Sequence, residues 1–231
     1  MPSAFFYGSN LWEVTMTIKQ RHYTNIVGFS EDYMAVKAFL KRIYKDNFNS
    51  PQSWLWNRWE WMFSLPYLDE TMLSRIGVWE CEDQIIGLAT YEQSLGDVWL
   101  SLDPDYPELK STMIAHAMAN LALVDETGER SLRLCLLETD ENFARHAADF
   151  GFALDGDNEA TAIYRMVDPL PQVVLPEGFC IVSLAEENDL MKIHRVLWKG
   201  FNHAGEPPAE TLHERQRMQS GPEFDLSLAL A

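Results

Sequence analysis

Between residues 75 and 102 the chain carries three short apolar strands in succession, RIGVWECEDQ, IIGLATYEQS and DVWLSL. The last of them runs through the turn DPDYPELK into an alanine-rich helix that sets Leu109, Met113, Ala117 and Leu121 at four-residue intervals. Strands that alternate in character need a covered face, and a helix with one apolar stripe and small alanines can lie close on a sheet. The flanking segments extend the pattern. Upstream come a short strand at Ile26 to Phe29, a helix capped by Ser30 with Val36, Phe39, Leu40 and Ile43 at helical spacing, and a second helical segment, SWLWNRWEWMFSL. Downstream come a strand SLRLCLLE, a helix ENFARHAADFGF and a strand TAIYRMV. The expected fold is α/β in the α+β sense: a mixed, mostly antiparallel sheet flanked by helices.

Residues 1–22 read as a leader, with a second methionine at Met16, and 23–168 as one folded unit. The proline-rich linker 169–178 closes that unit. The C-terminal segment repeats the unit's opening: FCIVSLAEENDLMKIHRVLWKGFN answers TNIVGFSEDYMAVKAFLKRIYKDNFN, with Ile181-Val182 matching Ile26-Val27 and Phe201-Asn202 matching Phe48-Asn49. Residues 179–231 are thus expected to be a partial second copy. It stops inside DLSLALA, read as an apolar strand whose unpaired edge needs a partner, either a missing C-terminal half or a second chain in a homodimer.

Charge narrows the partners. The sequence holds 18 basic and 35 acidic residues, a formal net charge of −17, spread along the chain, which argues against nucleic acid and anionic membrane surfaces. No apolar run approaches the roughly 20 residues of a membrane span, and the start lacks the basic and apolar regions of a signal peptide, so a cytoplasmic protein is expected. Cys81, Cys135 and Cys180 stand far apart, without metal-ligand spacing. TLHERQRM begins like a zinc-protease helix but supplies no second histidine, and no phosphate-loop, dinucleotide or nucleophile-elbow motif occurs.

The element order, the LSLDPDY strand and turn, and the ENFARHAADFGF helix resemble the GNAT superfamily of acyl-CoA-dependent N-acyltransferases, in particular its tandem-domain members. The closing helix resembles that family's closing helix, which carries an Asn, an Ala and a final Gly-Phe, through Asn142, Ala144, Gly151 and Phe152, though with a shorter spacing. The resemblance implies acetyl-CoA as cofactor, a small-molecule amine as acceptor, and Leu102, Lys110, Ser111, Thr112 and Asn142 as the positions facing the cofactor. In the family, the loop after the central strand carries glycines because backbone N–H groups must converge on a diphosphate at a helix start. Here Pro107 stands at the Arg/Gln position, Lys110 at the first glycine and Thr112 at the glycine-or-alanine. Pro107 has no N–H to give, so binding of acetyl-CoA is expected to be weak. The tyrosine that protonates the departing thiolate in the family falls on Ala147, with His146 beside it, so no catalytic residue is assigned. Glu80, Glu82 and Glu92 lie on the strands that, by resemblance, border the acceptor site.

SWLWNRWEWMF adds a geometric expectation. At 100° per residue Trp54 and Trp61 share one side, while Trp56, Trp59 and Phe63 gather nearly opposite. One face packs on the sheet; the other faces the second unit, another chain, or an apolar substrate, and Trp56, Trp59 and Glu92 are the substrate-side candidates.

Overall fold

A computed structural model describes residues 17–44, 54–157, 168–169 and 172–229. Its centre is a five-stranded sheet in the order β1-β2-β3-β4-β7. The strands are β1 (Ile18–His22), β2 (Gly77–Cys81), β3 (Gln84–Thr90), β4 (Asp97–Leu102) and β7 (Arg133–Cys135), with β5 (Leu123–Val124) and β6 (Arg130–Ser131) forming a separate ribbon. The helices are α1 (Glu31–Ile43), α2 (Trp56–Ser64), α3 (Lys110–Asn120), α4 (Glu141–Asp149), α5 (Leu190–Gly200) and α6 (Leu212–Met218). Pairing is antiparallel from β1 to β4 and parallel between β4 and β7, so the fold is mixed and mostly antiparallel, as the sequence implies.

The hairpin between β2 and β3 closes on Glu82 and Asp83, both at positive φ, the geometry of a tight two-residue turn that matches strand twist. α3 covers the sheet with Met113, Ile114 and Ala117 fully buried, as is Leu121 just past its end, and α1 contributes Val36, Phe39, Leu40 and Ile43 to the same core. Ser30 caps α1 through Tyr33 N–H at 3.2 Å, as its sequence position predicts. β4 pairs with β7 over three residues, Asp97 to Trp99, and continues for three more toward the turn into α3.

The first strand is displaced from its expected place. It forms at Ile18–His22, inside the stretch read as leader, whereas Ile26 and Val27 are 59% and 55% exposed. Apolar alternation does not hold β1. Arg21 does: its guanidinium bridges Asp32, at 2.6 Å, and Glu80, at 2.7 Å, tying strand to helix and neighbouring strand. The strand expected at 161–167 lies outside the described residues.

In the C-terminal part Asp189 caps α5 as Ser30 caps α1, four residues beyond Ala185, the position that the match of Ile181 to Ile26 sets against Ser30. The strand expected ahead of it does not form: Phe179 and Ile181 are exposed in irregular chain. DLSLALA is likewise not a strand over its described part. Asp225 accepts from Ser227 N–H through its side chain and from Leu228 and Ala229 N–H through its carbonyl, closing a turn. An aspartate whose carboxylate bonds the backbone two residues on makes such a turn locally stable.

Candidate functional site

The turn from β4 into α3 is built from Asp103 outward. Asp103 N–H donates to Ile86 O, extending the β3–β4 ladder, and the Asp103 carboxylate accepts from Asp105 N–H and from Arg42. Tyr106 N–H donates to Asp103 O at 3.0 Å, Leu109 N–H to Tyr106 O at 3.1 Å, and Lys110 N–H to Pro107 O, closing a single 3₁₀ turn, Pro107–Leu109, ahead of α3. Pro107 brings no N–H. The amides at 105, 106, 109 and 110 therefore satisfy one another's carbonyls and the Asp103 carboxylate, where a glycine-rich loop would aim them at a bound anion.

The side chains of this turn are committed as well. Lys110 reaches Asp140 at 2.9 and 3.1 Å, with side chains only 12% and 17% exposed, and its ammonium lies 4.7 Å from the Phe143 ring centroid. Asp140 also caps α4 through Phe143 N–H at 2.9 Å, so one carboxylate fixes both helix starts. Ser111 Oγ lies 2.9 Å from His146 Nδ1. A hydroxyl and an imidazole at that distance have the reach of a nucleophile and its base, but the imidazole needs a third group to orient it, and none bonds His146 Nε2 among the described residues. Of the five cofactor-side residues, the structure brings Lys110 and Ser111 together with α4, buries Leu102 at the end of β4, and leaves Thr112 and Asn142 exposed on separate helices.

The acceptor-side residues do not converge. Glu82 is a hairpin-turn residue, and Glu80 accepts from Arg21. Glu92 is buried in a bidentate pair with Arg58, at 2.6 and 2.9 Å, whose guanidinium lies about 5 Å from the Trp54 and Trp99 rings. Trp59 is fully buried, stacked on Tyr33 and edge-on to Tyr23, with its indole N–H donated to Tyr33 O. It is core, not pocket. The helical-wheel reading fails for Trp54, because α2 begins only at Trp56 and Leu55 holds an extended backbone; Trp54 packs against Trp99 at 4.8 Å. Phe63 joins Trp59 in the core, while Trp56 is half-buried and Trp61 47% exposed.

Those two tryptophans line a cleft of about 480 Å³ between α2 and the helices α5 and α6. Ile193, Leu197, Met218 and Phe224 complete its apolar wall, and Glu60, Glu223 and Arg215 also line it. The seam beside it is ionic. Lys37, 2% exposed, pairs with Glu60 and Glu223, Lys41 pairs with Glu223, and Arg217 bonds Glu70 and the Phe63 carbonyl. Gly221 lies so close to α2 that a Cβ there would stand 2.6 Å from Glu60 Oε1. Sequence reasoning reached Trp56 and missed the residues from α5 and α6. The i, i+4 pair Ile193 and Leu197 was the available signal, an apolar stripe with no sheet of its own to cover.

A histidine cluster ties β1 to α3. His116, 5% exposed, donates from Nε2 to Arg75 O at 3.0 Å and accepts at Nδ1 from Gln20 at 2.8 Å and Asn120 at 3.2 Å, the bonding of a neutral ring. Burial pushes its pKa below the ordinary histidine value, the Arg75 carbonyl opposes that shift, and the His22 ring 5.6 Å away adds to it. Among the described residues no group of three or more His, Cys, Asp or Glu side chains could hold a metal ion, and no helix is long and apolar enough to cross a membrane. No protein-family model matches the chain, and no curated protein matches it.

Proposed function

We propose that the unit running from β1 to α4 is a GNAT-like acyltransferase fold turned to a non-catalytic role, a binding scaffold whose former cofactor turn is closed by the protein's own groups. The observation that carries this reading is the double commitment at the start of α3: Lys110 to Asp140 and Ser111 to His146, over a turn in which the amides of Asp105, Tyr106, Leu109 and Lys110 are bonded within the turn itself. A diphosphate would have to replace a partly buried ion pair with an anion contact of similar worth while supplying partners for the freed Asp140. The element order supports the acyltransferase ancestry: two helices between the first and second strands, three antiparallel strands, a helix, and a parallel strand beside the fourth. The empty tyrosine position at Ala147, itself buried in the core, supports the loss of chemistry, since nothing there can protonate a departing thiolate.

Calorimetric titration with acetyl-CoA tests the reading. The expected result is no saturable heat up to millimolar ligand and no thiol release from acetyl-CoA in the presence of primary amines. Micromolar binding that weakens at least about tenfold in Lys110→Met, the loss of one charge-assisted contact, would overturn it.

A further inference from the structure

We propose that the cleft between α2 and the α5–α6 pair is a binding site for a small amphipathic carboxylate, with Arg215 as its anion anchor and Trp56 and Trp61 as its apolar wall. Its volume, about 480 Å³, lies within the range of small-molecule pockets, and it combines an apolar wall with polar groups that include Arg215, Glu60 and Glu223. The chemical class is set by Arg215. In a chain with 35 acidic residues against 18 basic, the other cations of this seam, Lys37, Lys41 and Arg217, are all paired with carboxylates. Arg215 meets no carboxylate within ion-pair distance among the described residues, although it is half-buried in the cleft lining.

The guanidinium is also held in place. Its Nε–H donates to His194 Nδ1 at 3.1 Å and its Nη1 contacts Met218 Sδ at 2.8 Å, while Nη2 bonds no side chain among the described residues. His194 is 1% exposed and is itself fixed, because Nε2 bonds Thr211 Oγ1 at 2.8 Å and that hydroxyl donates to Pro208 O at 2.9 Å. A relay of three side chains, with the buried His194 at its middle, thus orients a planar cation whose remaining donors suit an anion. The carboxylates in the lining do not turn the site into a cation site. Glu60 and Glu223 are neutralised by Lys37 and Lys41, and Glu60 Oε1 already accepts Glu223 N–H at 2.9 Å.

The test uses the full chain and three probes that share one apolar body: 3-phenylpropionate, its neutral primary amide, and 3-phenylpropylamine. Binding is followed by the indole N–H resonances in two-dimensional NMR, with Trp56 and Trp61 assigned through single phenylalanine substitutions. The acid is expected to shift both resonances saturably and to bind roughly ten to a hundred times tighter than the amide, the worth of a charge-assisted hydrogen bond. Arg215→Gln should bring acid and amide to equal affinity, whereas Trp61→Ala, at an exposed position, should weaken both alike. Equal affinity of acid and amide for the unaltered protein, tighter binding of the amine, or no shift of either indole would overturn the proposal. The comparison of probes needs no variant, so a folding defect in Arg215→Gln cannot rescue it. Acetyl-CoA binding is tested at Lys110, which does not line this cleft, so a failure here leaves the scaffold reading standing.

Discussion

Asp140 is where the closed turn can be opened by one atom's change. Its carboxylate makes two kinds of contact: it caps α4 through Phe143 N–H and holds Lys110 Nζ at 2.9 and 3.1 Å. Asp140→Asn keeps a capping oxygen and removes the charge; Asp140→Ala removes both. A capping contact is worth about 1 kcal/mol. The ion pair lies between the fully exposed case, near zero to about 1 kcal/mol, and a charge-assisted buried bond, about 1.5–3 kcal/mol, and side-chain exposures of 12% and 17% place it toward the upper case, at about 1.5 kcal/mol. Asn should therefore cost about 1.5 kcal/mol and Ala about 2.5 kcal/mol by urea denaturation followed through tryptophan fluorescence. Lys110→Met should cost about as much as Asp140→Asn, and the double variant should cost no more than either alone, because the contact can be lost only once. The released ammonium then supplies a second readout. Inorganic pyrophosphate should leave the midpoint of the unaltered protein unmoved and raise that of Asp140→Asn, since a ligand stabilises only in proportion to its binding of the folded state. Equal costs for Asn and Ala, or pyrophosphate stabilising the unaltered protein as much as Asp140→Asn, would refute the argument that Asp140 occupies the anion's place.

Acidification should destabilise the fold through His116. Its folded-state pKa is lowered by burial below the ordinary value of 6.5, so under about pH 6.5 the unfolded chain takes up a proton that the folded one resists; the stabilising contribution is complete above that pH and is lost as pH falls below it. Urea midpoints measured from pH 7.5 to 5.5 should fall more steeply for the unaltered protein than for His116→Gln, and parallel profiles would exclude the histidine as the cause. Gly77→Ala should cost about 1–3 kcal/mol, because a Cβ there would lie 2.6 Å from His116 Nε2 and 2.9 Å from Trp79 Cη2. The same substitution in a His116→Ala background should cost at least about 1 kcal/mol less, measured as a double-mutant cycle, and strict additivity would contradict the clash.

What the sequence made legible was whatever one periodic stripe could encode. Leu109, Met113, Ala117 and Leu121 are all buried, as are Val36, Phe39, Leu40 and Ile43, because each set needs only a helix and something apolar to lie on. β1 was illegible for the opposite reason: IKQRH has no apolar alternation, and its side chains are tied instead by Arg21 to Asp32 and Glu80 and by Gln20 to His116, the pairs with Glu80 and His116 joining residues far apart in the chain. The tryptophan helix was half legible. Its wheel assumed regular geometry from Trp54 onward, and a start two residues later sent Trp54 to Trp99 and left Trp56 and Trp61 to the cleft.

The absence of glycine between β4 and α3 was visible in the string DPDYPELK, but the string could not tell whether the turn was open and merely poor at binding an anion or closed by something else. The pairs that close it join residues 30 and 35 positions apart, Lys110 with Asp140 and Ser111 with His146. Lys110 taken alone reads as a phosphate ligand; with Asp140 beside it, the same ammonium becomes the tie between two helix starts. Arg215 shows the converse. Its neighbours in sequence, Glu214 and Arg217, suggest an ordinary charged helix, and only the fold places His194 behind its guanidinium and Trp56 and Trp61 in the same cleft. In both places the meaning of a cation is set by whether a carboxylate stands across from it, which is a property of the fold and not of the residue.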